Sequence, residues 1–198
     1  MNWLLAFFAS IISYIFLDQK LAHFIAQNIH LLFIYKALSF LIAPIFHLSL
    51  SLTVTILSLH KRFRKYLKPS AQYLLTVLIF MFIAGVLKIV IGRARPEFAI
   101  KTGFYGFSFF DGHHSYFRSF PSSHAATAFA IIHLLRGNWY WYLSMTLCIG
   151  SRLLLGEHYL SDVIAGGMLG IFAGKLGSWG IKKIEQAIRL LDLKLNQP

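Results

Sequence analysis

The chain has 198 residues, of which 57% are hydrophobic and 13% charged, against about 25% charged in soluble domains. Its 19 Lys and Arg face only 7 Asp and Glu, for a formal net charge of +12. Long uncharged runs argue against both an ordinary soluble domain and a nucleic-acid binder, which carries its basic residues on a soluble fold; a polytopic membrane protein remains.

Six stretches read as membrane helices: 2–18, 38–59, 71–92, 122–136, 139–155 and 160–180. They are read as helices because lipid offers no partner to an unpaired backbone. The first lacks a basic n-region and a small-residue cleavage site, so it reads as a retained span. Between Asp18 and Lys36, the polar residues Gln19, Lys20, His23, Gln27 and His30 recur among apolar ones at helical spacing, predicting an interfacial amphipathic helix. Lys61, Arg62, Arg64, Lys65 and Lys68 separate the second and third spans, and Arg136 separates the fourth and fifth. Lys175, Lys182, Lys183, Arg189 and Lys194 lie at the end of the sixth span or beyond it. With six spans these residues share one side, which the positive-inside rule makes cytoplasmic, together with both termini.

Cys148, the only cysteine, excludes an intrachain disulfide and reads as a small packed hydrophobe. Gly166, Gly170 and Gly174 recur every four residues in the last span, a pattern for close helix packing within the bundle or between copies. Residues 181–198 read as a basic amphipathic tail on the cytoplasmic face. No linker or repeat divides the chain. The expected architecture is therefore all-α: one membrane-embedded domain over 1–198, with about six transmembrane helices.

Three clusters carry chemistry. Lys88 lies deep in an apolar run, where a charge costs about 2.5–3.5 kcal/mol on insertion scales. Arg95 follows seven residues later, on the same helical face if the helix continues, and Pro96 then turns the chain. Arg93 and Arg95 alone would suit snorkelling ends equally well. Pro121-Ser122-Ser123-His124 reads as a helix start, where outward N–H groups and the dipole favour an anion. Arg152 offers a permanent planar cation, and His158 and Asp162 are four apart, so the carboxylate can set the imidazole's tautomer or merely staple helices. All three clusters fall on the side opposite the basic loops. Cations, a helix N-terminus and two histidines are what phosphoryl transfer needs.

Lys88-x6-Arg95-Pro96, Pro121-Ser122-Ser123-His124 and Ser151-Arg152-x5-His158-x3-Asp162 resemble the three-part signature of the type 2 phosphatidic acid phosphatases. That superfamily also holds vanadium haloperoxidases and glucose-6-phosphatase. The resemblance covers 88–162 and the helical layout, and it departs from the family where Ser123 stands in place of the usual Gly. It implies a phosphatase that needs no metal or other cofactor. His158 would attack phosphorus to give a phosphohistidine, with Asp162 holding its tautomer. His124 would protonate the leaving oxygen and then activate water. Lys88, Arg95, Arg152, the Ser122 hydroxyl and the Ser123 N–H would hold the phosphoryl oxygens. A metal held by His113, His114, His124 and His158 is disfavoured, because no thiolate or set of carboxylates accompanies them.

Nine of the 24 residues of 97–120 are aromatic, which suits a segment in the headgroup zone beside the site or one packed over helix ends. Lys101, Arg118, His113 and His114 add charge for an anionic headgroup. The resemblance implies a bacterial inner-membrane enzyme with a periplasmic site, acting on undecaprenyl pyrophosphate, phosphatidylglycerol phosphate, phosphatidic acid or a lipid A phosphate. The rival readings are a phosphotransferase with a lipid pyrophosphate donor and a non-catalytic lipid-phosphate carrier. Oligomeric state is not legible.

Overall fold

The computed structural model describes residues 2–28, 32–134 and 139–195, and every regular element among them is helical. The expectations for His30 and Arg136, and for the side chains of Cys148 and Lys194, fall outside the described residues. The chain opens with α1 (Trp3–Ile12), capped by the Asn2 side chain, which accepts a hydrogen bond from Leu5 N. A π-turn at Ser13–Leu17 leads directly into α2 (Asp18–Asn28), so helix is continuous across Asp18. This corrects the boundary expected there. Helix does not stop at Asp18 for a separate one to begin, and Asp18 is fully buried while Gln19 and Lys20 are exposed.

Next come α3 (Leu32–Phe40) and α4 (Pro44–Leu57). The single span expected over 38–59 is thus broken at 41–43, where Pro44 takes the first position of a new helix. Hydropathy misses the break because Leu41, Ile42 and Ala43 are themselves apolar. A 3-10 turn at Lys61–Tyr66 precedes α5 (Leu67–Ile91), and the short α6 (Pro96–Thr102) follows. Then come α7 (Ser123–Leu134), α8 (Trp139–Leu154) and α9 (Leu160–Leu195). The α9 helix runs without interruption through most of the segment expected to be a separate tail.

Three described stretches are long and apolar enough to cross a membrane: Trp3–Gln27, Lys61–Ile91 and Leu160–Leu190. Helices α4 and α7 are apolar but shorter, about 21 and 18 Å at the usual helical rise.

Helix α9 packs on α5 and α7. Val77, Phe80 and Ala84 of α5, Ala126 and Ala130 of α7, and Leu169 and Ala173 of α9 form one buried cluster. The glycine stripe explains how close α9 comes. A Cβ on Gly166 would fall 2.2 Å from the Ser122 carbonyl oxygen, and one on Gly170 would fall 2.1 Å from that of Ala126. The stripe therefore serves packing inside this bundle. It also sets the start of α7 beside the start of α9, where Ser122 N donates to the Asp162 carbonyl at 3.1 Å.

Candidate active site

At the C-terminal end of α5, Gly92 adopts a left-handed conformation (φ 55°), and its N–H bonds the Lys88 carbonyl at 3.2 Å. A side chain there would also collide with the Ser108 carbonyl, 1.8 Å from an added Cβ. The aromatic segment folds back over this end as a strap. Ser108 N donates to Gly92 O, Phe110 N to Val90 O and Ala94 N to Gly106 O. Arg95 N donates to Tyr116 O, and Ser119 N to Arg93 O. The strap both packs on helix ends and contributes Ser115 and Arg118 to the cavity beside them.

That cavity has a volume of about 460 Å³. Lys88, Arg95, Arg118, Ser123, His124, Arg152, Glu157 and His158 form its polar lining, while Pro44, Ile45, Met81 and Gly85 form an apolar wall. Six of the eight expected site residues thus come together from α5, α7, α8 and two loops. Lys88 donates to the Arg118 carbonyl at 2.7 Å. Arg95 donates to Glu157 at 2.9 Å, and Arg152 donates to the same Glu157 oxygen and to the Ser39 hydroxyl. The Nε groups of both arginines are buried without a hydrogen-bond partner among the described residues, leaving donors for an oxygen-rich ligand. Burial works against the Glu157 charge, but Arg152 and Arg95 prevail and hold its carboxyl below the usual carboxylate range.

Ser122 and Asp162 stand behind this lining. Ser122 is fully buried and its hydroxyl accepts from Ala125 N at 3.4 Å, which makes it the cap of α7. Ser123 and His124, in the first turn, are the residues that face the cavity. The imidazole of His158 is held differently from expectation. Its Nδ1 meets the Ser119 carbonyl at 2.7 Å, while the nearer Asp162 oxygen is 3.8 Å away. The direct bond expected from Asp162 is replaced by one to the backbone. Asp162 instead accepts from the Ser119 hydroxyl at 2.6 Å and from Tyr159 N at 2.8 Å, so it fixes the residue that fixes His158. A donating Nδ1–H leaves the Nε2 lone pair free. Burial, aided by Lys88 and Arg152 and opposed by Asp162, lowers the His158 pKa to about 4.

Arg93 is the largest departure from the sequence reading. It is no snorkelling end, being 1% exposed. It donates to Asp162 at 2.5 Å, to Asp18 at 2.8 Å, to the Ser161 hydroxyl at 2.6 Å and to Tyr105 at 3.2 Å. Its guanidinium also lies 4.4 Å from the Tyr159 ring centre and 5.0 Å from that of Tyr14. Asp18 completes the group by accepting from Ser13, Ser161 N and the Ser161 hydroxyl. Arg93, Asp18 and Ser119 were thus missed. The only sequence signal was two acids and an arginine in apolar surroundings, 75 and 69 positions apart.

The family model described as the PAP2 superfamily matches residues 69–185. Over 107 residues, 51% of this chain, the sequence is 38% identical to a lipid A 1-phosphatase of Rhizobium etli, covering 46% of that protein, and to one of Rhizobium johnstonii, covering 43%. A lipid A 1-phosphatase of Porphyromonas gingivalis is 34% identical over 98 residues, 45% of this chain and 22% of its own length. The matches therefore span less than half of each relative. The crystal structure of Aquifex aeolicus LpxE superposes with a TM-score of 0.60, covering 81% of this chain and 94% of that one, at 22% identity. That likeness is one of fold.

Proposed function

The chain belongs to the PAP2 superfamily, and on that basis we propose that it is an integral membrane lipid phosphatase working through a phosphohistidine. The observation that carries this reading is the two-sided cavity, with Lys88, Arg95, Arg152, His124 and His158 facing Pro44, Ile45 and Met81. Such a lining suits an amphiphile whose phosphate is held by cations while its chain stays in an apolar surrounding.

In the first step His158 Nε2 attacks phosphorus, and the bond to the lipid oxygen breaks. His124 gives that oxygen a proton. In the second step His124 takes a proton from water, whose oxygen attacks phosphorus, and the P–N bond breaks to release phosphate. Arg95, Arg152, Lys88 and the first-turn N–H groups of α7 stabilise charge on the equatorial oxygens. Asp162 acts through Ser119 and through its own field on the imidazolium. No step calls for a metal at phosphorus.

The relatives bearing the name lipid A 1-phosphatase make a glycosidic lipid phosphate the first substrate to assay. The positive-inside bias supports a periplasmic position for the active end in a bacterial inner membrane. The test is phosphate release by the purified full-length chain from lipid A 1-phosphate, phosphatidic acid, phosphatidylglycerol phosphate and undecaprenyl pyrophosphate in mixed micelles. The expected result is turnover of at least one of them that vanadate abolishes. Inertness toward all four, or turnover insensitive to vanadate, contradicts the proposal.

A further inference from the structure

We propose that Asp111, His113 and His114 form a binding site for one divalent cation of the zinc class on the strap, separate from the phosphate-binding residues. One carboxylate oxygen and two imidazole nitrogens lie within 4.8 Å of one another. Asp111 Oδ1 is 3.6 Å from His113 Nε2 and 3.8 Å from His114 Nε2. Ligands about 2.0–2.1 Å from a tetrahedral ion stand about 3.3 Å apart, so both carboxylate–imidazole distances are within about half an ångström of that spacing, while the two imidazole rings, whose centres lie 4.0 Å apart, must swing apart to converge on the ion. Two imidazoles with one carboxylate select a borderline ion such as Zn²⁺ over Mg²⁺ or Ca²⁺, which prefer oxygen-only sets.

Asp111 and His114 are held in place. The Ser108 hydroxyl donates to Asp111 Oδ2 at 3.0 Å, leaving Oδ1 for the ion, the kind of outer-shell contact that orients metal ligands. Asp111 N bonds Ser108 O, Gly112 N bonds Ile89 O, and His114 N bonds Asp111 O, so the backbone between the ligands is pinned. Gly112 lies so close to α5 that an added Cβ would fall 1.8 Å from the Lys88 carbonyl. The His114 ring stacks on Tyr116 at 5.1 Å and 8°, and Tyr116 stacks on Phe98 at 4.6 Å.

His113 and His114 have side chains 64% and 47% exposed, so an ion can reach them. Three protein ligands leave one coordination position for water. Ser115, the residue after His114, lines the cavity. The ion would therefore clamp the strap where it forms the cavity rim, with no part in the chemistry at phosphorus.

The experiment titrates Zn²⁺ alone into the purified full-length protein in detergent, after chelator treatment and dialysis, and follows binding by calorimetry. One equivalent should bind at micromolar affinity or tighter. Asp111→Asn, His113→Ala and His114→Ala should each weaken binding about tenfold or more, while their metal-free melting temperatures stay at the wild-type value. Co²⁺ should give a visible absorption band in wild type that His114→Ala abolishes. No Zn²⁺ binding by wild type, or unchanged binding by folded His113→Ala and His114→Ala proteins, overturns the proposal.

Discussion

Glu157 holds its carboxylate between the guanidinium groups of Arg95 and Arg152, so under the proposed function an incoming phosphoryl group would compete with an anion already bonded to both. Removing that charge while keeping the shape should favour the incoming anion. Glu157→Gln is expected to make inorganic phosphate a competitive inhibitor about tenfold stronger than in wild type, for about 1.4 kcal/mol of lost competition. An unchanged or weakened inhibition constant would mean that Glu157 only positions the arginines. His158, with its pKa lowered to about 4 by burial, is neutral throughout the ordinary pH range. Formation of the phosphoenzyme should therefore stay flat on its acid side well below the ordinary imidazole value near 6.5 and fall only near pH 4. Rapid-quench measurement across that range checks this, and an acid limb centred near 6.5 would contradict it. At this scale much of the site was legible. Lys88, His124, Arg152 and His158 stand at fixed spacings, and each is costly or conspicuous where it lies. Ser119 was not legible, since its contribution to His158 is a backbone carbonyl, which any residue carries. Ser122 was legible as a helix start, and its burial turns the hydroxyl toward capping.

The elements at the active end are tied together by Arg93. It links the first helix, through Asp18, to the first turn of α9, through Asp162. Both carboxylates are fully buried, so losing the cation would leave two uncompensated negative charges. Arg93→Ala should cost about 3–5 kcal/mol, read as a large fall in melting temperature in detergent. A melting temperature within a degree or two of wild type would show that the network contributes little. The same network explains a misread boundary. Asp18 opens a run of polar residues at helical spacing, which looks like the start of a surface helix. Gln19 and Lys20 do face outward, but Asp18 points inward to Arg93, and hydropathy has no means of telling a buried ion pair from an interfacial charge. The break at 41–43 escaped for the opposite reason, since nothing polar marks it. By contrast α5, α7 and α8 lie within a few residues of their expected bounds, and the glycine spacing of α9 pointed to close packing that Ser122 and Ala126 supply within the same chain.

Across the whole molecule the excess of positive charge divides by position. The basic turn Lys61–Tyr66 precedes α5, whose 25 residues span about 37 Å, and Lys88 lies near its far end with Arg95 just beyond. The ends of α5 and α8 and the start of α7 meet around one cavity, so the basic turn and the cations that line the cavity lie toward opposite ends of α5. In the proposed mechanism phosphate passes through His158. The most direct measurement is the phosphorylated protein itself, trapped by rapid quenching during turnover of radiolabelled lipid A 1-phosphate, or of whichever lipid phosphate proves to be turned over. The expected result is an acid-labile, base-stable phosphoenzyme that forms as fast as turnover and is absent in His158→Ala, together with a loss of phosphate release of roughly 10³-fold or more. Phosphate release that survives in a folded His158→Ala protein would contradict it.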